Sequence, residues 1–202
     1  MHFINKTIIV LLFITLAACS HNSSLEKSKE TQGLVTEKDN TAVSLELALY
    51  KKAVLTLNNK QLNQAETLFL EMSKVQPDMA GSWANLALIR LKKDDLNGAK
   101  EYIEIALDKN PNMPQVLNLA GDVALKEDRL NDAKTYFELA IKNKNDYALA
   151  HYNLALIYDI YLQDIPLAVQ HYELYLQYST QPDKSTEKWV KGLKSIIQDN
   201  NS

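Results

Sequence analysis

Ala65, Ala99 and Ala133 recur at intervals of 34 residues, and Phe69, Ile103 and Phe137 keep the same step. Met72, Ala106 and Ala140 follow it, and Pro77 pairs with Pro111. A fixed period of this length means a stacked array, in which one supersecondary unit repeats and neighbours bury each other's apolar faces. With boundaries at 46–79, 80–113, 114–147 and 148–181, each unit holds two helical patterns. In the second unit Trp83, Leu86, Ala87 and Arg90 share one face at i, i+3, i+4, i+7 spacing. A polar break, Lys92-Lys93-Asp94-Asp95, separates them from a second stripe of Leu96, Ala99, Ile103, Ala106 and Leu107. Pro111 cannot continue that helix and closes the unit. Gly and Pro, five of each in 202 residues, are too few to break up a chain of this length, which favours helix throughout.

Small residues recur where two helices have to cross closely. Ala87, Gly121 and Ala155 hold one slot of the first helix, and Ala65, Ala99, Ala133 and Ala168 one slot of the second. A larger side chain at either place would force the pair apart. Large residues take the complementary slot, at Phe69, Ile103, Phe137 and Tyr172. The interval stretches to 35 between Ala133 and Ala168, through one residue inserted ahead of Pro166.

This pattern resembles the tetratricopeptide repeat (TPR) family. The second unit carries its consensus positions as Trp83, Leu86, Ala87, Arg90, Ala99, Ile103, Ala106 and Pro111, and the third as Leu117, Ala120, Gly121, Ala124, Ala133, Phe137, Ala140 and Asn145. The first unit departs at Lys52 and Thr56, and the fourth at its insertion and at Tyr175 in an Ala slot. The resemblance implies an all-α, right-handed superhelical α-solenoid of about four helix pairs within 42–181. Residues 182–202 supply a C-terminal capping helix, with Trp189, Leu193, Ile196 and Ile197 on one stripe to cover the open end of the last repeat. A partner-binding amphipathic helix is the rival reading of that segment.

In the family, first helices of successive repeats line a concave groove. Carried over, the lining becomes Tyr50, Val54, Ala84, Leu88, Lys92, Asn118, Asp122, Lys126, Tyr152, Leu156 and Asp159. Leu57, Leu91, Leu125, Asn58 and Ile160 fall on matching positions, of which Leu91 and Leu125 are expected to pack inward. The slots are mostly apolar or aromatic, with Asn118 and Asp122 as a polar centre, which implies an extended or helical peptide with apolar anchors. Only Lys92, Lys126 and Asn118 could clamp a peptide carboxylate. Asn85 and Asn153 match a frequent structural Asn of the family and are not counted as ligands.

The first 18 residues read as a secretory signal: Lys6, a short apolar run from Thr7 to Leu16, then Ala17-Ala18. The run is half the roughly 20 residues that a membrane span needs. Cys19, the only cysteine, stands directly after it, and Leu16-Ala17-Ala18-Cys19 resembles a bacterial lipobox, so Cys19 is expected to carry acyl chains. Ser20, where Asp would retain a lipoprotein in the inner membrane, points to the inner leaflet of the outer membrane, facing the periplasm. Residues 19–41 are polar and lack periodicity, as a flexible tether would.

Without the first 18 residues, one lysine fewer than the 22 basic residues leaves 21 against 25 acidic ones, and no basic stripe suited to nucleic acid. No glycine-rich phosphate loop, metal-ligand cluster or catalytic constellation occurs, so no enzyme, cofactor or metal is expected. His151 and His171 occupy helix-face slots of the fourth unit and read as packed rings. The layout is similar to small TPR lipoproteins that assist pilus or secretion-system assembly. The expectation is a membrane-anchored scaffold for a protein or peptide partner. An adaptor for cell-wall hydrolases or proteases, or a self-assembling element, is the alternative, with oligomeric state open.

Overall fold

The computed structural model describes residues 44–200, and among them every regular element is helical. The chain divides into two units, 1–45 and 46–202, and the array lies in the second. The signal segment, Cys19 and the tether fall outside the described residues.

Residues 44–58 are helical (α1). Then come α2 (Leu62–Val75), α3 (Ala80–Lys92), α4 (Leu96–Lys109), α5 (Pro114–Lys126), α6 (Leu130–Asn143) and α7 (Ala148–Leu156). A π-helical turn, Ile157–Tyr161, extends α7, and α8 (Ile165–Tyr178) and α9 (Lys184–Asn200) complete the array. Contacts run between sequence neighbours, α3 on α4, α5 on α6, α7 on α8, and in addition α3 meets α5. Each helix pair thus stacks on the next, which makes an α-solenoid with first helices side by side.

The small slots are what let the helices approach. Ala65, Ala99, Ala133 and Ala168 are fully buried, as are Phe69 and Phe137, with Ile103 and Tyr172 nearly so. Gly121 is the tightest crossing: a Cβ there would sit 2.4 Å from Cε1 of Phe137. The aromatic ring of the large slot occupies the space that the missing side chain leaves.

The turn inside each pair repeats as strictly as the core. Lys60, Asp94, Asp128 and Gln163 all adopt positive φ, between 54° and 61°. The residue after each closes the helix by a bond back over the turn: Gln61 N to Thr56 O (3.1 Å), Asp95 N to Arg90 O (3.0 Å) and Arg129 N to Ala124 O (2.8 Å). This is a left-handed helix stop of the Schellman type. In the fourth pair the equivalent bond runs from Asp164 N to Tyr158 O (2.8 Å), one residue longer, and Leu162 N bonds Ile157 O (3.0 Å). The one-residue insertion is therefore absorbed as a π turn, the usual way a helix accommodates an extra residue. Acids at the turns have partners. Asp95 caps α4 by accepting from Gly98 N, and Asp164 caps α8 by accepting from Leu167 N. Glu127 bridges Lys100 (2.5 Å) and Arg129 (2.8 Å).

The cap corrects one expectation. On α9 the buried stripe is Thr186, Val190 and Leu193, with Ile197 partly buried against the same cluster, and it packs on Tyr172 and Val169 of α8. Trp189 and Ile196 lie off that seam, 54% and 48% exposed. The contact surface favours the i, i+4, i+7 set starting at Thr186, which a stripe drawn through the largest apolar residues misses.

Candidate functional site

α1, α3, α5 and α7 carry the candidate groove residues, and the structure sorts these into two open ends and a closed middle. At the α1–α3 end, Val54, Leu57, Asn58, Lys60, Leu62, Asn85, Leu88 and Lys92 line a cleft of about 510 Å³. Among the described residues, neither Lys60 nor Lys92 has an ion-pair partner.

The middle is a hydrogen-bonded knot. Asn118 is 1% exposed and donates to Asp122 Oδ2 (3.2 Å); Asn153 donates to Asn118 Oδ1 (3.1 Å) and Asp122 Oδ1 (3.0 Å). Asn85 makes the matching link two repeats earlier, donating to the Tyr50 hydroxyl (3.2 Å) and to Gly81 O (2.8 Å). The recurrent Asn therefore clasps the second repeat to the first and the fourth to the third, while Leu119 holds that position in the third. Tyr50 and Asn118 act as its partners, Asn118 wholly buried, so Asn118 presents no side chain to a ligand. Ala84 is 6% exposed and belongs to the core as well. Lys126 is exposed and pairs with Asp94 at 3.2 Å. Asp122 has no cation within ion-pair reach among the described residues, and burial pushes its carboxyl up to about 6, opposed by the Asn153 bond and by Lys126.

At the α7–α9 end, Tyr152, Leu156, Asp159, Ile160, Tyr172, Ser185, Thr186 and Trp189 line a cavity of about 250 Å³. Asp159 is its one acid. The Tyr172 hydroxyl (3.2 Å) and the Trp189 indole N–H (2.7 Å) both donate to its Oδ2. Burial first, and then the neighbouring Asp159, raise the Tyr172 phenol, so it stays protonated as donor. Tyr152 stacks at an angle on Tyr175 (centroids 4.9 Å) and edge-on to Tyr172 (5.8 Å). Beside the cavity the π turn leaves Ile160, Tyr161 and Leu162 exposed, at 62%, 56% and 47%.

Trp189, Tyr172 and Thr186 were not legible as site residues. Tyr172 sits in a core slot of the repeat, and Trp189 lies about one turn into a helix whose register only packing sets. Lys60 and Leu62 escape sequence reasoning for another cause, since they belong to the turn and the second helix, outside the positions carried over.

The two histidines of the fourth repeat form a structural latch. His151, 4% exposed, faces Asn145 O through Nε2 (3.0 Å) and His171 Nδ1 through its own Nδ1 (3.0 Å). A carbonyl only accepts, so His151 Nε2 donates, its Nδ1 is the acceptor, and His171 Nδ1 carries the proton. Burial, and then His151, push His171 down to about 4, and Tyr158 stacks on its ring at 5.5 Å. No group of three or more metal-ligating side chains occurs among the described residues.

These features define a class. Residues 84–148 match the family described as Tetratricopeptide repeat. Solved structures share the fold. A thermophilic TPR protein of Thermus thermophilus is 18% identical, with 75% of this chain and 82% of that one covered, at a TM-score of 0.63. A mutant of the Thermobaculum terrenum O-GlcNAc transferase gives 0.59 at 16% identity over 65% of this chain, which spans only 26% of that enzyme. The first TPR of Spaghetti, bound to the HSP90 peptide SRMEEVD, gives 0.53 at 14% identity, covering 59% of this chain and 95% of that one. A comparison with curated protein sequences yields no match. The fold is that of a TPR solenoid, an architecture that generally serves as a scaffold for protein–protein interaction.

Proposed function

We propose that this chain is a non-enzymatic scaffold that binds a peptide segment of a protein partner along its concave face, from the α1–α3 cleft to the α7–α9 cavity. The observation that carries this reading is the pair of open, largely apolar recesses at the two ends of one row of first helices. Between them the side chains satisfy one another. A peptide would thus be gripped at its ends by side-chain anchors and pass over a rigid middle. The structural neighbour bound to a peptide supports the same mode.

The anchoring reading belongs to the same proposal. Acylated Cys19 would hold the chain on the inner leaflet of the outer membrane, and the tether would let the array reach into the periplasm. A role in envelope assembly, such as pilus or secretion-system biogenesis, fits that placement, as does an adaptor role for cell-wall enzymes.

Two experiments test the two halves separately. Leu88→Arg fills the α1–α3 cleft with a charge, and it should abolish cross-linked capture of envelope proteins while the helical circular dichroism stays unchanged. Capture that survives this substitution rules out the groove. Cys19→Ser should abolish incorporation of labelled palmitate, and label still entering the variant removes the anchor.

A further inference from the structure

The α7–α9 cavity is built for something more specific than an apolar anchor. Three aromatic rings, Tyr152, Tyr172 and Trp189, and two apolar walls, Leu156 and Ile160, surround one carboxylate, Asp159. Its two hydrogen bonds come from neutral donors and converge on Oδ2, and no protein donor to Oδ1 is found among the described residues. Other half-buried acids either meet cations or are held by nearby amides and hydroxyls: Asp164 accepts from Leu167 N, Asp183 from Ser185 N, Thr186 N and the Thr186 and Tyr175 hydroxyls, and Glu46 from the Gln76 side chain. Glu66 meets Arg90 (2.8 Å) and Lys93 (2.6 Å), Glu127 meets Lys100 and Arg129, and Asp95 meets Arg90. Asp122, which also lacks an ion pair among the described residues, accepts instead from Asn118 and Asn153 in the closed middle of the row. Asp159 has no cation partner among the described residues and faces the cavity.

A carboxylate fixed by two donors and flanked by aromatic rings is complementary to a cation with an apolar stem. The carboxylate supplies the charge, the rings supply cation–π attraction, and the apolar walls cover methylene groups. We propose that this cavity receives a cationic side chain, Lys or Arg, of the bound peptide. The inference rests on the peptide-binding reading of the concave face and adds the chemistry of one anchor. It also gives the peptide a direction, because the α1–α3 cleft at the other end carries the cations Lys60 and Lys92. The residue type at this position sets the fourth repeat apart. At the position of Asp159 the earlier repeats carry Leu57, Leu91 and Leu125, and Asp159 itself lies inside the π turn Ile157–Tyr161.

The test uses small probes, so that its failure is separable from failure of the groove reading. The full-length chain has two tryptophans, hence two indole N–H signals in a nitrogen–proton correlation spectrum, and Trp83→Phe assigns the second to Trp189. N-acetyl-arginine amide should shift the Trp189 signal saturably, with a dissociation constant on the order of 1–10 mM, as one anchored side chain allows. N-acetyl-citrulline amide, its neutral isostere, should bind at least about fivefold more weakly, the ratio expected for about 1 kcal/mol of charge-dependent attraction. Asp159→Asn keeps an acceptor for Tyr172 and Trp189 and should bring arginine down to the citrulline level. In the unsubstituted protein, raising salt from about 0.15 M to about 1 M should weaken arginine binding several-fold and leave citrulline binding unchanged. Equal affinity for the two amides, no saturable shift with either, or arginine binding that survives both Asp159→Asn and high salt overturns the proposal. If arginine binds the cavity but Leu88→Arg leaves partner capture intact, the cation site stands and the groove reading falls.

Discussion

The second and third repeats and the fourth are built on one plan and put it to different uses. In the former, small and large slots alternate without exception, turns close after the same number of residues, and surface acids meet surface bases. In the fourth, one added residue turns the end of α7 into a π turn, and Tyr172 takes the large slot that Ile103 and Phe137 hold. Two histidines and an Asp held only by neutral donors enter positions that are apolar or paired elsewhere. Regularity is what stacking requires. Departure is tolerated at the end of the array, where α9 rather than another repeat completes the packing, and that is where a cavity with specific chemistry has formed.

If this contrast is right, the interior should be unforgiving. Phe137→Ala removes a fully buried ring from the third repeat and should cost about 3–5 kcal/mol, read from urea denaturation. A loss below about 2 kcal/mol would mean that the slot can collapse and that the regular region is not tightly packed.

Asp122 gives a pH-dependent version of the same test. Its folded carboxyl lies near 6, above the ordinary value of 3.8, so the folded state holds more protons than the unfolded state between those values. Stability from this group is therefore present at acid pH and lost as pH rises through about 6. Relative to Asp122→Asn, the wild type should be less favoured at pH 7 than at pH 4.5 by roughly 2 kcal/mol. His171 has the opposite sign. Its depressed pKa makes the latch lose stability as pH falls from 6.5 towards about 4, and His171→Gln should remove that acid sensitivity. A wild-type minus Asp122→Asn difference that is flat with pH would show the knot to be solvated.

Gly121→Ala should destabilise by about 1–3 kcal/mol through collision with Phe137, although Ala is the better helix former. At the equivalent Ala87, Ala87→Gly should cost only about 1 kcal/mol, from propensity. If Gly121→Ala stabilises instead, Phe137 has room to move and the slot is not tight.

The smallest effect concerns the turns. Lys60→Gly and Gln163→Gly relieve side chains held at positive φ and should gain up to about 1 kcal/mol each. Asp94→Gly and Asp128→Gly should gain less, because Asp adopts this conformation more readily. Equal gains at all four turns would contradict that ranking.

Much of the architecture was legible from the residues alone. The helix pairs, the crossing slots and the stretch of the period before Ala168 all follow from the spacing of Ala, Phe and Pro, because each repeat must bury the same faces against its neighbours. The concave-face positions could also be carried over, yet which of them remain open could not. Asn118 and Ala84 disappear into the array because packing between repeats claims them. Trp189 reaches Asp159 because α9 docks on α8 with Val190 and Leu193 inward and the bulkier ring outward.

The sequence by itself determined the period, the helical class and the places where helices touch, since these depend on steric volumes at fixed intervals along the chain. Only the tertiary structure decided how one inserted residue is absorbed, which polar side chains satisfy one another, and which acid is left facing a cavity. Those outcomes depend on the relative rotation of helices that are distant in the chain, and no local pattern encodes that rotation.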